Sequence, residues 1–169
     1  ERMALDRDMA LVEMTGAKYH ADQITTARAL PALTRAKANG LDVTAGIGIH
    51  HLTLNALDVA DFRTFFKLKP PLRDEDDRLA VAEAVASGLI DVISSMHTPQ
   101  DEESKRLPFE EAASGAVALE TFLPAAMQIV AAPCEKLLVV LPPVVSKRPL
   151  VGFPAAVPVE EGNLGVDAV

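Results

Sequence analysis

Cysteine, aromatic residues and positive charge are all scarce in this sequence of 169 residues. Cys134 is its one cysteine, tryptophan is absent, and aromatic residues make up 4% of the chain. A lone cysteine excludes a disulfide within the chain and is typical of a reducing cytoplasm. Because Cys134 lies outside any cluster of Cys and His, a nucleophilic role is also disfavoured. We therefore predict a cytoplasmic protein without structural disulfides.

Basic residues number 16 against 24 acidic ones, which gives a net charge of −8. Nucleic acids and anionic membranes both bind clustered Lys and Arg, so this balance excludes them as partners. No apolar run approaches the roughly 20 residues that a membrane-spanning helix needs. The first residues, Glu1-Arg2-Met3, lack the features of a signal peptide, and they do not look like a natural start because the chain opens inside a predicted helix.

Helix and strand patterns alternate regularly over residues 1–131. Apolar residues spaced by three and four positions predict helices, and short β-branched runs predict strands. The second helix begins at Thr26 or, because Pro31 fits poorly deep inside a helix, nearer Leu30. The predicted elements are a helix over Arg2–Met14, an extended segment over Lys18–Ile24, a helix ending near Asn39-Gly40, strands over Asp42–Ile47 and Phe65–Leu68, a helix over Asp74–Ser87, a strand over Ile90–Ser94 and a helix over Leu119–Val130.

This alternation predicts an α/β fold of parallel strands connected by flanking helices. Polar residues follow the strands at one edge only, which is typical of the catalytic rim of a (β/α)8 barrel. Three or four strands cannot close a barrel that needs about eight, so the pattern predicts a partial TIM-type barrel. Residues 132–169 hold six of the twelve prolines, interleaved with valines, and are predicted to be an irregular tail or edge strands.

All four histidines lie at predicted strand ends, and with one aspartate they form a candidate residual pocket. One interpretation is a rewired metal site, to which the aspartate would add an oxygen ligand. The sequence favours hydrogen-bonded structural histidines instead, because no pair has a compact spacing such as His-x-His. The two adjacent histidines would also point in opposite directions in an extended chain. The residues of this candidate pocket are His20, Asp22, His50, His51 and His97.

Five short motifs follow one another along the barrel segment. They are Tyr19–Thr26, Val43-Thr44-Ala45 with His50-His51-Leu52, Phe66–Arg73, Ile90–Ile93 with His97-Thr98-Pro99, and Leu107-Pro108-Phe109 with Leu119-Glu120-Thr121. In this order they resemble the C-terminal half of the dihydroorotase family, cyclic-amide hydrolases of the amidohydrolase superfamily. The resemblance covers roughly Ala4–Val130. It implies a (β/α)8 barrel whose first half, with its His-x-His metal pair, is absent from this sequence.

At four positions where the resemblance places working residues of the family, this sequence has other residues. Gln23 replaces an implied metal-binding histidine, and Lys69 replaces an asparagine that contacts the substrate. Met96 replaces the metal-bound aspartate that acts as general base, and Gln100 replaces a histidine that helps to hold the substrate carboxylate. Glutamine is a poorer zinc ligand than imidazole, and a thioether cannot accept a proton from water. These positions are therefore degenerate, and we predict no catalytic or metal-binding residue.

Three further features allow two interpretations each. Met96 is more simply core filling than a sulfur ligand. Lys69 is either a solvated or ion-paired lysine or a group that holds an anionic ligand. The acidic run Asp101–Glu103, followed by Lys105-Arg106, is either a solvated loop with local ion pairs or a loop that contacts a partner.

The resemblance implies a dihydroorotase-like protein of pyrimidine biosynthesis that is non-catalytic and serves as a structural partner of aspartate carbamoyltransferase. We accordingly expect no cofactor. An incomplete barrel leaves a strand edge unpaired, which a second copy of the chain, the missing half or the Pro-rich tail would cover, and we expect a homo-oligomer. The alternative is an active metal-dependent cyclic-amide hydrolase with substituted ligands, which would use zinc.

Overall fold

A computed structural model describes residues 1–130 and 138–140 of the chain. Residues 138–140 form a strand, and the remainder of the predicted tail over residues 132–169 lies outside the described part. Three short 3₁₀ helices connect the longer elements, over Ala27–Ala29, Ala56–Val59 and Thr64–Phe66. In chain order the helices and strands are α1 Arg2–Thr15, β1 Tyr19–Ala21, α2 Leu30–Ala38, β2 Val43–Gly48, α3 Ile49–Thr53, α4 Glu75–Ala86, β3 Val92–Ser94, α5 Glu102–Lys105, α6 Leu119–Val130 and β4 Leu138–Val140.

The four strands form one sheet in the order β1-β2-β3-β4, and every neighbouring pair is parallel. Parallel pairing requires a crossover between consecutive strands. Helix α2 lies in the connection from β1 to β2, and α4 lies in the connection from β2 to β3. The prediction of an α/β fold with parallel strands and flanking helices is therefore confirmed.

The core lies between one face of the sheet and the helices. Along β1 and β2, His20 and Thr44 are exposed whereas Ala21 and Ala45 are buried, as the alternation of side chains along a strand requires. On the opposite face, the His20 ring nitrogen Nδ1 lies 2.8 Å from Thr44 Oγ1, and Gly46 and Gly48 further along β2 are buried. The buried side chains include Leu5, Met9 and Val12 of α1, Leu33 of α2, Val81 and Val85 of α4, Phe122 and Ala126 of α6, and Ile47 and Ile93 of the sheet.

Local signals in the sequence fix the ends of the main helices. Helix α1 ends at Gly16, whose left-handed backbone (φ 66°) directs its N–H to the carbonyl of Val12. Helix α2 begins at Leu30, which decides between the two predicted starts, and the preceding turn is the 3₁₀ helix over Ala27–Ala29. Helix α4 is capped by the Asp74 side chain, which accepts from the backbone N–H of Asp77.

The predicted strand over Phe65–Leu68 is wrong. Residues 64–66 form a 3₁₀ helix, closed by a hydrogen bond from the N–H of Lys67 to the carbonyl of Thr64 at 3.1 Å. The side chain of Phe65 is 70% exposed, so this apolar run does not enter the core. Pro70 and Pro71 follow after Lys69 and have no N–H to donate to a neighbouring strand. The N–H groups of Phe66 and Lys67 therefore bond within a local turn rather than to a neighbouring strand.

Candidate functional site

The carboxyl ends of β1, β2 and β3 surround one small cavity of about 150 Å³. Beyond β1, the chain turns at Gln23 (φ 58°), and the next N–H, that of Ile24, returns to the carbonyl of Gly46 at 2.9 Å. Beyond β3, the chain turns at Met96 (φ 48°). The lining residues are Gln23, His50, His51, Leu68, Lys69, Met96, Thr98, Ser114 and Gly115.

His51 lines this cavity, and one of its ring nitrogens has no partner among the described residues. Its Nε2 lies 3.0 Å from the carbonyl oxygen of Pro70, which can only accept, so Nε2 carries the proton. Its Nδ1 is then a bare acceptor, and it is buried without a partner among the described residues. Burial lowers the pKa of His51 below its usual value, against the opposing effect of the Pro70 carbonyl. The ring is therefore neutral near pH 7.

Two more polar atoms that line the cavity also lack partners within the described residues. They are Nε2 of His50 and Oε1 of Gln23. Burial lowers the pKa of His50, and the neighbouring rings of His51 and His97 add to this effect. A buried polar atom without a partner costs about 1–3 kcal/mol, so three around one cavity mark a place for water or a ligand.

The two adjacent histidines are helical rather than extended. Both lie in helix α3, where successive side chains are about 100° apart and so do not point in opposite directions. Helix α3 begins directly after Gly48 at the end of β2. A Cβ on Gly48 would lie 2.6 Å from Cγ of Met96, so glycine permits the close approach of this side chain.

His97 forms hydrogen bonds with backbone N–H groups at the start of helix α6. Its Nδ1 accepts hydrogen bonds from the N–H groups of Ala118 at 3.0 Å and Leu119 at 3.2 Å. The ring thus serves as a cap at the start of the helix, where backbone N–H groups have no partner within the helix. His97 does not line the strand-end cavity.

His20 and Asp22 also lie apart from this cavity. Both are exposed, and His20 Nε2 and Asp22 Oδ1 each lie 3.2 Å from the position that a Cβ on Gly46 would take. They therefore meet over Gly46, on the same face of the sheet as Thr44. The five residues of the candidate pocket accordingly divide into three groups, of which only the His50–His51 pair lines the cavity.

Three of the four degenerate positions, those of Gln23, Lys69 and Met96, line the cavity. Gln100 instead lines an adjoining, larger cavity of about 290 Å³.

The donor set of the strand-end cavity does not fit a structural or catalytic zinc ion. Zinc sites use at least three ligands drawn from Cys, His and carboxylates. Here the lining offers two imidazoles, one amide oxygen and one thioether, and no Asp, Glu or Cys. Over residues 1–130 and 138–140, no three side chains of His, Cys, Asp or Glu gather in a way that could hold a metal ion.

The sequence pattern gave the wrong solvent exposure for Lys105. The solvated-loop interpretation holds for Arg106, which pairs with Glu102 on the surface. It is wrong for Lys105, which is only 7% exposed. The Lys105 ammonium donates to the carbonyls of Thr64 at 2.9 Å and Ala113 at 2.8 Å, which a run of charges in sequence does not reveal.

Comparisons with known proteins agree with this architecture, although no family model matches the chain. Over 130 residues the chain is 41% identical to a dihydroorotase from Wolbachia sp. subsp. Drosophila simulans (strain wRi), a match that covers 76% of this chain and 30% of that protein. It is 36% identical over 130 residues to a dihydroorotase-like protein from Pseudomonas aeruginosa, covering 77% of this chain and 31% of that protein. It is also similar to the solved D-hydantoinase (dihydropyrimidinase) from Thermus sp., with a TM-score of 0.68, 26% identity, and coverage of 78% of this chain and 30% of that one.

A parallel sheet with flanking helices and a polar cavity at its strand ends is a segment of an amidohydrolase-type barrel. The chain belongs to the amidohydrolase superfamily and is dihydroorotase-like. It spans about a third of the length of the relatives it matches. Among the described helices, none is long and apolar enough to cross a membrane.

Proposed function

We propose that this chain is a non-catalytic dihydroorotase-like protein of pyrimidine biosynthesis and a structural partner of aspartate carbamoyltransferase. The observation that carries the first part is the strand-end cavity, whose lining contains no carboxylate. Hydrolysis of a cyclic amide needs a group that takes a proton from the attacking water. At the end of β3 that position is held by Met96, and at the end of β1 the ligand position is held by Gln23.

A second candidate is an active metal-dependent cyclic-amide hydrolase with substituted ligands. The three unpaired polar atoms of Gln23, His50 and His51 favour it, because they line one cavity and lack partners among the described residues. Against it stands the lining itself, which supplies two imidazoles and no Asp, Glu or Cys. Water in the cavity would satisfy the same atoms without any chemistry.

The two candidates are separated by metal content and hydrolysis of dihydroorotate. We expect the purified chain to contain no stoichiometric zinc by elemental analysis and to hydrolyse dihydroorotate at the background rate, with or without added zinc. A rate that a chelator abolishes would overturn the non-catalytic proposal. The matched control is a dihydroorotase of known activity, treated with the same chelator.

Reversal of the four degenerate positions is a stricter test. We expect the combined changes Gln23→His, Lys69→Asn, Met96→Asp and Gln100→His to leave the rate at background, because the His-x-His pair that the resemblance implies is not in this sequence. Met96→Asp combined with Lys69→Asn should lower the free energy of unfolding, because it places a carboxylate in a partly buried position and removes the lysine that lines the same cavity. Activity in the quadruple variant would show that this segment holds a complete site.

The partnership is supported by the resemblance and by the edge of β1, which pairs with no second strand within the described residues. It is tested by sedimentation velocity of the chain mixed with aspartate carbamoyltransferase, where we expect a faster boundary containing both proteins. Glu102→Lys with Glu103→Lys reverses two exposed acidic charges in the first turn of α5 and should weaken the complex. Glu13→Lys, on the exposed face of α1, is the matched control. Separate boundaries for the two proteins would refute the partnership, and the chain alone reports its own oligomeric state.

A further inference from the structure

A further cavity, of about 280 Å³, lies in the helical layer between α1 and α2. It shares no lining residue with the strand-end cavity or with the cavity that Gln100 lines. The proposed function therefore uses none of its side chains. They are Arg2 and Asp6 of α1, Arg28 of the 3₁₀ helix over Ala27–Ala29, and Pro31, Ala32 and Arg35 of α2.

Positive charge is concentrated in this cavity. The chain as a whole has a net charge of −8, whereas the cavity is lined by three arginines and one aspartate. Three positive charges and one negative charge leave a formal charge of +2, since a guanidinium does not lose its proton in a protein. Like charges around one cavity repel one another, and an anion between them would lower the free energy of the folded chain.

Asp6 neutralises only part of this charge. Its Oδ1 lies 2.9 Å from Nη2 of Arg35, and its Oδ2 lies 3.5 Å from Nε of Arg2. One carboxylate is thus shared between two guanidiniums. Each of these two guanidiniums has five N–H donors and keeps most of them for another acceptor.

The guanidinium of Arg28 has no partner of its own. Within the described residues it forms neither an ion pair nor a hydrogen bond. The acidic residue that contacts this 3₁₀ helix, Asp77 of α4, instead accepts from the backbone N–H of Ala27 at 2.7 Å. The donors of Arg28 are therefore open to a ligand.

These donors suit a phosphate group better than a carboxylate. A guanidinium presents its N–H groups as a planar fork that matches pairs of oxygen atoms. A phosphate monoester has three acceptor oxygens and a charge near −2 at pH 7, whereas a carboxylate has two oxygens and a single charge. Three arginine forks and a formal charge of +2 match the phosphate in both respects.

We propose that this cavity binds a phosphate group, either free or carried by a small monoester. The phosphate would accept from Arg28 and from the donors of Arg2 and Arg35 that Asp6 leaves unused. A cavity of about 150 Å³ holds benzene in another protein, so about 280 Å³ has room for an organic body beside the phosphate. Because the side chains of Arg2 and Arg35 are 66% and 60% exposed, water and salt screen their charges, and we expect millimolar affinity.

The first test titrates the parent chain at pH 7.5 with inorganic phosphate and, separately, with phenyl phosphate. Sodium chloride keeps the ionic strength constant. In ¹H–¹⁵N spectra of the arginine side chains, we expect saturable shifts of the Nε–H signals of Arg2, Arg28 and Arg35, and none for Arg63, which lies outside the cavity. Tighter binding of phenyl phosphate would identify a monoester as the ligand, and equal affinities would identify free phosphate.

Two outcomes of this titration would overturn the proposal. One is the absence of saturable shifts up to about 20 mM of either probe, well above millimolar affinity. The other is tighter binding of a hexaglutamate peptide than of both probes, because the cavity would then be a contact surface for carboxylates of an acidic protein segment.

The second test removes the unpaired guanidinium. Arg28→Gln, at an exposed position, should weaken phosphate binding at least about fivefold, because a hydrogen bond to a charged group is stronger than one to a neutral amide. Arg63→Gln is the matched control, because Arg63 is also exposed and its loss changes the net charge equally. Unchanged affinity in Arg28→Gln, or equal weakening in both variants, would refute the site.

The third test predicts a gain of affinity. Asp6→Asn frees donors of Arg2 and Arg35 and removes the one negative charge of the lining, so phosphate should bind about threefold more tightly. Asp42→Asn is the matched control, because Asp42 pairs with Lys18 outside the cavity and its loss changes the net charge equally. No gain in Asp6→Asn, or an equal gain in both variants, would contradict the proposal.

Discussion

Acidification should destabilise the protein between pH 7.5 and 5.5 through His50 and His51. Both have pKa values lowered mainly by burial, so the folded state keeps the rings neutral in a range where the unfolded state binds protons. A histidine whose pKa is lower in the folded state stabilises the fold at pH values above its pKa in the unfolded state, near 6.5. The free energy of unfolding falls as the pH drops below that value. The predicted sign is therefore lower stability at lower pH.

The magnitude follows from proton linkage. Each histidine that is protonated only in the unfolded state changes the free energy of unfolding by at most about 1.4 kcal/mol per pH unit. Two such groups set a ceiling of about 2.7 kcal/mol per unit, and protonation of the unfolded state is incomplete near its midpoint. We expect a loss of about 1–2 kcal/mol between pH 6.5 and 5.5. Carboxylates with lowered pKa values, such as Glu75 at about 2, stay ionised throughout this window.

The assay is urea unfolding followed by far-ultraviolet circular dichroism at pH 7.5, 6.5 and 5.5, because the chain has no tryptophan to report by fluorescence. The double variant His50→Gln with His51→Gln should lose the dependence, since glutamine does not titrate. His20→Gln, at an exposed histidine, is the matched control and should retain it. An unfolding free energy that stays constant in the parent, or a slope that survives in the double variant, would refute the reasoning.

Two further substitutions test the packing. Each is compared with a substitution at a less crowded position, where the loss of stability should be smaller. Gly115→Ala should cost about 1–3 kcal/mol or more, because φ is 138° and the new Cβ would lie 2.5 Å from the carbonyl oxygen of Thr98. Gly16→Ala, left-handed but with open space, should cost about 1–2 kcal/mol, and a larger loss there would contradict the contact argument. Phe122→Ala should cost about 3–5 kcal/mol, because this ring is 1% exposed. Leu123→Ala, at a 62% exposed neighbour, should stay within about 0.5 kcal/mol, and similar losses at both positions in thermal unfolding would refute the assigned core face.

The helices and the parallel sheet could be predicted because their signals are local or periodic. Leu5, Met9 and Val12 recur on one face of α1 and are all buried, and Gly16 supplies the left-handed end. Pro31 correctly moved the start of α2 towards Leu30, because proline is tolerated only in the first turn.

The other features depend on partners far away in the chain. The apolar run over Phe65–Leu68 has the composition of a strand, but a strand needs a neighbour, and the prolines after it remove donors. Lys105 looks solvated beside Asp101–Glu103, yet its partners are the carbonyls of Thr64 and Ala113. The unpaired Nδ1 of His51 could not be predicted for the same reason. The other ring nitrogen is bonded to the Pro70 carbonyl, 19 residues away, and this contact determines which nitrogen carries the proton.

The backbone has an uncommon conformation at two of the strand ends. Gln23 and Met96 both have left-handed backbones, which cost non-glycine residues about 1–2 kcal/mol each and cluster at functional sites. Packing around them accounts for the turns without any chemistry: after Gln23 the chain returns to the carbonyl of Gly46, and Met96 lies against the bare Cα of Gly48. Contacts between strand ends therefore support both turns. Contacts of this kind would keep the strand ends in shape without a general base, as the proposed non-catalytic scaffold requires.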